Sequence, residues 1–573
     1  GIAAIPVANK KQAITVKGVC IMLEYGKKDI TVGDLKATND TYEEFSSFWD
    51  FLLAAYEGLR SLLAWGVLQQ HPRETDKNYD KRVSEAYGFG YSQSIVDLFT
   101  MYLFKRPGKR TLGSKLSNDK QLAQFDADCN LYGANFQDWL LEQQRYASAV
   151  GHVGVLVDKS PRQFNNKAQE LAANVYPYVT RYLPQAILDW EYKRDDNNRP
   201  YLAFLKLYED DGLYRLWWPE GWRTYRVPTA EQLQEQGINV TKVDQVNLDQ
   251  AQAVLEEEGE NGLKANGQQI IPFVWLYNMN SRHVGVGISD IKDIAYIDAS
   301  IIRNLSQGEE IIELNAFPIM RHPKPEEGPN SQTGQAEVAV GPSGVLWFDQ
   351  DHPEARPDWL ESAADGPINS ILSWIAKKVE EIYRASNAGG MASTEISTQA
   401  KSGTALTAEF QLLNGKLVSK GSNLEEAERS IMFFWLLYQQ MENEMENVTL
   451  ERPRSYDVEN LAQDLANMVT GKTLVNSKKF LIALQKNAVR LLLPGLSEEE
   501  LDEVDTEIEE NAEKGGLTPF DDIVDKFSGG DKGTGDDTTG NQGPPQKGAP
   551  TKQQPAGGSG PQDGTVVNQG GGE

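Results

Sequence analysis

The tripeptide Gly471-Lys472-Thr473 has the ending of a phosphate-binding loop, where backbone N–H groups cradle phosphate and a lysine neutralises it. That loop needs a glycine five positions earlier, where Ala466 stands, and a preceding strand, whereas the upstream residues read as helix. A helix stop followed by a capped helix accounts for the tripeptide. The five histidines, His71, His152, His283, His322 and His352, are dispersed, and none has a His or Cys three or four positions away to share a metal. They read as surface or turn residues, and His322-Pro323 and His352-Pro353 as parts of a proline-rich loop. Cys20 and Cys129 form no C-x-x-C pair and no disulfide framework, which suits a reducing compartment. No G-x-S-x-G elbow occurs. The acidic runs Glu256, Glu257, Glu258 and Glu498, Glu499, Glu500 read as solvated helix faces rather than as the paired acids of a glycosidase. Trp217, Trp218 and Trp222 leave an acidic, aromatic-rich hydrolase as one reading, with core and edge packing of a sheet as the simpler one. These residues give reason to expect no catalytic site, no cofactor and no metal.

The charge balance narrows the partners. In 573 residues there are 83 acidic and 56 basic side chains, a net charge of −27 spread along the chain with no basic domain. A protein that grips nucleic acid normally presents a Lys/Arg face, because phosphate neutralisation supplies most of the affinity. Tight DNA binding is therefore not expected. DNA as a sliding cargo is compatible with acidity, since weak, repulsive walls favour passage; the alternative is that the charge simply keeps molecules apart. The longest apolar-looking region, 45–68, is interrupted by Asp50, Glu57 and Arg60, and no run approaches the ~20 residues needed to span a bilayer. The opening Gly1-Ile2-Ala3-Ala4-Ile5-Pro6 has neither an initiator Met nor a signal pattern and reads as a trimmed or processed end.

Several elements must position whatever site exists. Phe45, Phe48, Trp49, Leu52, Leu53, Tyr56, Leu59 and Leu62 recur at spacings of three and four, which predicts an amphipathic helix capped at Asp40 or Thr41. A second helix is expected from about 77 to 104, and a third over about 118–149. Val153, Val155 and Val157 then alternate as a strand, followed by strands over 176–182, 186–192, 202–208, 214–218 and 221–227, an antiparallel meander with turns such as Asp211-Gly212. Residues 229–268 look peripheral, and 270–276 reads as a last strand. A rod helix from about 288 carries Ile291, Ile294, Ile301 and Leu305 on one stripe and ends at Phe317-Pro318. A proline-stiffened excursion over 319–365 follows, then a second rod opening at Pro367, antiparallel to the first. Asn387-Ala388-Gly389-Gly390 breaks it and leads into a small, polar segment reaching Gly403. By itself that segment is a linker or a phosphosite loop. Between two rods of a ring it would face the axis and touch cargo without gripping it. From Leu406 a long helix carries Leu413, Leu417, Leu424, Ile431 and Trp435, with Lys420 breaking the register and a kink expected near Gly415 or Gly421. Residues 528–573 hold almost no apolar side chains and read as disordered.

This order of parts resembles the portal, or head-to-tail connector, proteins of tailed double-stranded DNA bacteriophages. The resemblance is carried by Gly285-Val286-Gly287-Ile288-Ser289-Asp290-Ile291 before the first rod, Phe317-Pro318 after it, and Lys401-Ser402-Gly403-Thr404-Ala405-Leu406 opening the long helix. Tyr42 with Trp49, Glu57-Gly58, Tyr79 with Arg82, Phe104-Lys105-Arg106-Pro107, and Gly151-His152-Val153-Gly154-Val155-Leu156-Val157-Asp158 add to it. It covers roughly residues 40–510, each motif being weak alone and the order being what carries it.

The resemblance implies an α+β portal fold with an α/β wing over 1–285. Stem helices over 286–316 and 366–386 would flank a small β-containing clip over 317–365. A tunnel loop over 387–404, a long wing helix over 405–444, the rest of the wing and a helical crown over 445–527, and a disordered tail complete it. It further implies a homo-oligomeric ring of twelve at a capsid vertex of the virion, assembled in the host cytoplasm. Double-stranded DNA would be weakly bound cargo, and terminase, tail adaptors and the major capsid protein would be partners, with no covalent chemistry. By position, Ser393, Thr394, Gln399 and Lys401 would face DNA, and Trp347, Phe348 and Trp359 of the clip would dock partners. A non-conducting structural adaptor or tail component, and the acidic hydrolase, remain as alternatives.

Overall fold

The structure, a computed structural model, describes residues 28–106, 108–162, 164, 166–237, 248–316, 319–321, 358–360, 365–386, 403–456, 477–492 and 498–513. The chain is of mixed helix and sheet, α+β as expected. It divides into two compact units, Gly1–Val458 and Glu459–Glu573.

Each long helical run expected near the N-terminus forms but is cut where the backbone turns left-handed. Asn39, not Asp40 or Thr41, caps helix Asp40–Glu57 by accepting from the Tyr42 N–H, and Gly58 at φ +96° separates it from Leu59–Trp65. The second run becomes Asp76–Ser84 and Tyr91–Leu103, parted at Gly90 with φ +63°. The third becomes Lys120–Ala127 and Phe136–Val150, parted by a loop that carries Leu131 and Gly133 at positive φ. Glycine reaches such angles without a Cβ penalty, so the breaks at Gly58 and Gly90 are cheap.

The strands form two main sheets rather than one meander. In the first, His152–Asp158 lies between Phe273–Tyr277 and Tyr178–Tyr182, all antiparallel. In the second, Ile187–Arg194, Pro200–Glu209, Leu213–Trp218, Gly221–Arg226 and Val254–Glu260 follow one another antiparallel. Leu156, Tyr182, Ile187, Leu205, Leu207, Trp217 and Phe273 are buried in one cluster spanning both sheets. Val153, Val155 and Val157, one strand period apart, belong instead to the large helical core.

Glu256, Glu257 and Glu258 prove to lie on an edge strand, not a helix face. Glu256 pairs with Arg226 at 2.9 Å, and Glu258 with Arg223 at 3.2 Å and Lys28 at 2.8 Å. Cross-strand cations make this run acceptable in a sheet despite its low β propensity.

Three long helices complete the first unit: Ile294–Ala316, Asp365–Ser386 and Gly403–Tyr438. The third, with 36 residues, is about 54 Å long at 1.5 Å per residue. It is continuous through Gly415 and Gly421, with no kink separating two helices. Leu413, Leu417, Leu424, Ile431 and Trp435 line its buried stripe. A short strand beyond it, Thr449–Glu451, pairs back with Lys109–Thr111. In the second unit, helices Lys478–Leu492 and Glu498–Glu513 are linked by Lys486 to Glu509 at 2.7 Å and to Asp505 at 3.6 Å. Gly471-Lys472-Thr473, Cys20, and the tail over 528–573 fall outside the described residues.

Candidate functional site: a helical hairpin and its buried anchors

Helices Ile294–Ala316 and Asp365–Ser386 pack antiparallel. Lys378 Nζ donates to Ser300 Oγ at 2.7 Å and Asn304 Oδ1 at 2.6 Å, while towards the other end Gly308 faces Ile371. Both helices are about 33 Å long or slightly more by their residue count. Beyond the helix ends, Ile319–Arg321 pairs antiparallel with Asp358–Leu360, setting Met320 opposite Trp359. That ladder returns the chain to the hairpin after the proline-rich excursion.

The hairpin exposes four large apolar side chains, Tyr296, Ile312, Leu372 and Trp374, of which Tyr296 and Trp374 share one flank. An open cleft of about 330 Å³ lies between Tyr296, Ile297, Ser300 and Trp374, with Lys377, Lys378 and Glu381 at its edge. The Lys378 ammonium sits 5.8 Å from the centre of the Trp374 ring, and burial, then nearby Arg303, push its pKa down.

The first hairpin helix begins at Ile294, later than the 286–288 start that the sequence suggests. The preceding backbone is committed to the sheet and helix behind it. Asp290 N donates to Ser148 O at 3.0 Å, Ser289 Oγ donates to Ala149 O at 2.6 Å, and Gly287 N donates to His152 Nδ1 at 3.2 Å. Gly151 and Gly287 touch backbone to backbone, with no room for a Cβ on either.

Three polar contacts, two of them buried, tie this root to the helices around it. Lys420, on the third long helix, forms an ion pair with Asp290 in which both side chains are only 1 % exposed. The Lys420 ammonium also lies 4.1 Å from the centre of the Phe99 ring, and Asp290 takes a second hydrogen bond from the Ser148 hydroxyl. Burial drives the Lys420 pKa down while Asp290 pulls it back up. Asp298 accepts from Ser92 N at 2.9 Å and Ser92 Oγ at 2.7 Å, and burial raises its pKa against those donors. Lys416 Nζ reaches Ser386 O at 3.4 Å, joining the third helix to the last residue of the hairpin. A further buried pair, Arg452 with Glu428 at 2.6 Å, is braced by Gln137 and lies against Phe104.

His152 is a buried residue, not a surface one. Trp49, Trp275 and Tyr277 surround its ring at centroid distances of 5.4, 5.4 and 6.2 Å, and desolvation lowers its pKa to about 3. His71 is exposed, as expected, while His322 and His352 lie outside the described residues. Buried Cys129 has its thiol pushed up to about 12 by desolvation.

Carboxylates do converge in one place. Arg215 holds Asp158 at 2.9 Å and Glu209 at 2.9 Å, with Tyr182 donating to Glu209 and Tyr178 to Asp158. Burial raises the Asp158 pKa and Arg215 opposes the rise. A guanidinium placed between the two acids engages both, which fits a packing network better than a reacting pair.

Ser393, Thr394, Gln399 and Lys401 lie in residues 387–402, outside the described residues, as do Trp347 and Phe348. The chain leaves the described part at Ser386 and re-enters it at Gly403, at the start of the long helix. Trp359 is placed on the short ladder, and nothing described brings it to the others. The anchors Asp290, Asp298 and Lys420 were not singled out as site residues by the sequence reading. Their signal was present: each is a charge standing in or beside an apolar helical stripe. Among the described residues no group of three or more His, Cys, Asp or Glu could hold a metal ion, and no helix is long and apolar enough to cross a membrane. No protein-family model matches the chain, and no curated protein matches it.

Proposed function

We propose that this chain is a subunit of a portal-type ring through which double-stranded DNA passes, acting as a structural channel rather than as an enzyme. The observation that supports this reading best is the hairpin. Two antiparallel helices of about 33 Å are fixed at one end by buried contacts and expose Tyr296, Ile312, Leu372 and Trp374. Exposed apolar side chains of this size suit burial against a neighbouring copy. The segment 387–402 joins the second hairpin helix to a 36-residue helix that lies in the core, the place a tunnel loop would occupy.

In this reading 317–365 is the clip, and Trp347, Phe348 and Trp359 meet terminase or a tail adaptor at the capsid vertex. Twelve copies would carry about 320 negative charges, so contacts with passing DNA would be brief and salt-sensitive. Lys401 would be the lone positive residue of the loop, beside Ser393, Thr394 and Gln399. Replacing residues 390–402 by a shorter Gly/Ser linker is expected to leave oligomers intact and to impair DNA packaging or retention in a packaging assay. Unchanged packaging would count against the reading.

A further inference from the structure

We propose that residues 22–27 seat as a sixth strand on the open edge of the five-stranded sheet, antiparallel to Val254–Glu260 of the same chain. Val254–Glu260 ends that sheet and pairs with Gly221–Arg226 on one side. Among the described residues, no backbone hydrogen bond leaves 254–260 on its other side. An edge of this kind carries a row of N–H and C=O groups that can take up another strand.

The N-terminal segment is already aimed along this edge. Val32 N donates to Ala251 O at 2.9 Å and Ala253 N donates to Ile30 O at 2.8 Å, the two bonds that flank an antiparallel bridge between Thr31 and Gln252. These contacts lie immediately before Val254, and in an antiparallel pair lower numbers on one strand meet higher numbers on the other. Continued residue by residue from Thr31 and Gln252, the register sets Leu23 about level with Glu260. Lys28 lies on this path, its ammonium 2.8 Å from Glu258. Ile30 is buried with Tyr225, and Leu255 packs half-buried against the same cluster.

Charge, pattern and tethering select the occupant. Residues 1–27 contain Lys10, Lys11, Lys17 and Lys27 against Glu24 alone, in a chain whose net charge is −27. The edge presents Glu256, Glu257, Glu258 and Glu260, all exposed. Glu256 is held by Arg226, and Glu258 by Arg223 and Lys28. Glu257 and Glu260 stand in no ion pair among the described residues. A glutamate-lined edge repels acidic strands and admits a basic one, with Lys27 the nearest further cation in the chain. Val19, Ile21, Leu23 and Tyr25 alternate as in a strand, and Val, Ile and Tyr favour that state. The segment joins the edge through Lys28 and Asp29, so its effective concentration there far exceeds that of any separate molecule. The proposal does not rest on the ring reading.

The test places a photo-crosslinking phenylalanine analogue at position 25 of the full chain and irradiates a mixture of ¹⁴N- and ¹⁵N-labelled protein. Adducts within one chain, mapped by mass spectrometry to 254–260, are the expected result. Mixed-isotope adducts at 254–260 would give the edge to another copy and overturn the proposal, as would adducts only elsewhere. Hydrogen exchange supplies a second readout. Successive N–H groups of a strand point to opposite sides, so in Glu24→Pro/Tyr25→Pro one of the two prolines removes a donor aimed at the edge. In that variant the outward amides of 254–260 are expected to exchange about tenfold faster or more, the worth of a lost ladder bond. Pro200–Glu209, an inner strand of the same sheet, is the reference for an intact fold and should not change. If the reference changes too, the crosslink in the otherwise unaltered chain decides. Unchanged exchange at 254–260 overturns the proposal.

Discussion

Lys420 and Asp290 are the residues on which the hairpin's root depends most. Both side chains are 1 % exposed, so removing one partner strands the other as a buried charge. Lys420→Met is expected to lower unfolding free energy by about 3–5 kcal/mol, and Asp290→Asn also to be destabilising. The double variant should lose much less than the two losses combined. Urea denaturation of the three variants checks this, and simple additivity would show that the pair is not coupled. His152 supplies a pH signature. Its pKa falls from an ordinary 6.5 to about 3 because burial penalises the imidazolium, so the unfolded chain binds a proton that the folded chain refuses between those values. Stability contributed by neutral His152 is therefore full above about pH 6.5 and is lost as pH falls towards 3, by up to about 1.4 kcal/mol per unit. His152→Asn keeps an acceptor for Gly287 N and removes the titration. Its unfolding free energy should fall less steeply over that range than the parent's, and parallel curves would contradict the assignment. Neither role is plain from sequence. Lys420 reads as a break in a stripe, and only the three-dimensional meeting of residues 130 positions apart turns it into a partner.

At the scale of elements, the third long helix gives the clearest contrast. A Cβ on Gly415 would meet nothing within 4 Å, so Gly415→Ala should raise stability by roughly 0.5–1 kcal/mol through backbone entropy alone. A Cβ on Gly421 would lie 2.5 Å from the Tyr456 hydroxyl, and Gly421→Ala should cost about 1–3 kcal/mol by overpacking. Thermal denaturation of the two variants checks both signs. The sequence suggested a kink at either glycine, yet one glycine lies beside open space and the other admits Tyr456, and the helix runs through both. The strands over 187–226 were readable because alternation and turn residues coincide there. Val254–Glu260 was not readable, because three consecutive glutamates erase the period of two and only Arg223 and Arg226 on the neighbouring strand make sense of them. The hairpin was readable from its stripes and from Pro367, but its start was not: whether 286–293 coils or helps bind the sheet depends on the Gly151–Gly287 contact, which lies far outside any helical period.

For the whole molecule, the α+β body, the hairpin and the long helix form one unit, and the helices Lys478–Leu492 and Glu498–Glu513 belong to a second. What these parts assemble into is the central claim. In the ring reading, a neighbouring copy would cover the exposed Tyr296, Ile312, Leu372 and Trp374 of the hairpin. Negative-stain imaging of the purified full-length protein tests this most directly. The account predicts closed rings with a central hole; particles that remain single chains of 63.8 kDa, or that form fibres or closed plugs, would contradict it.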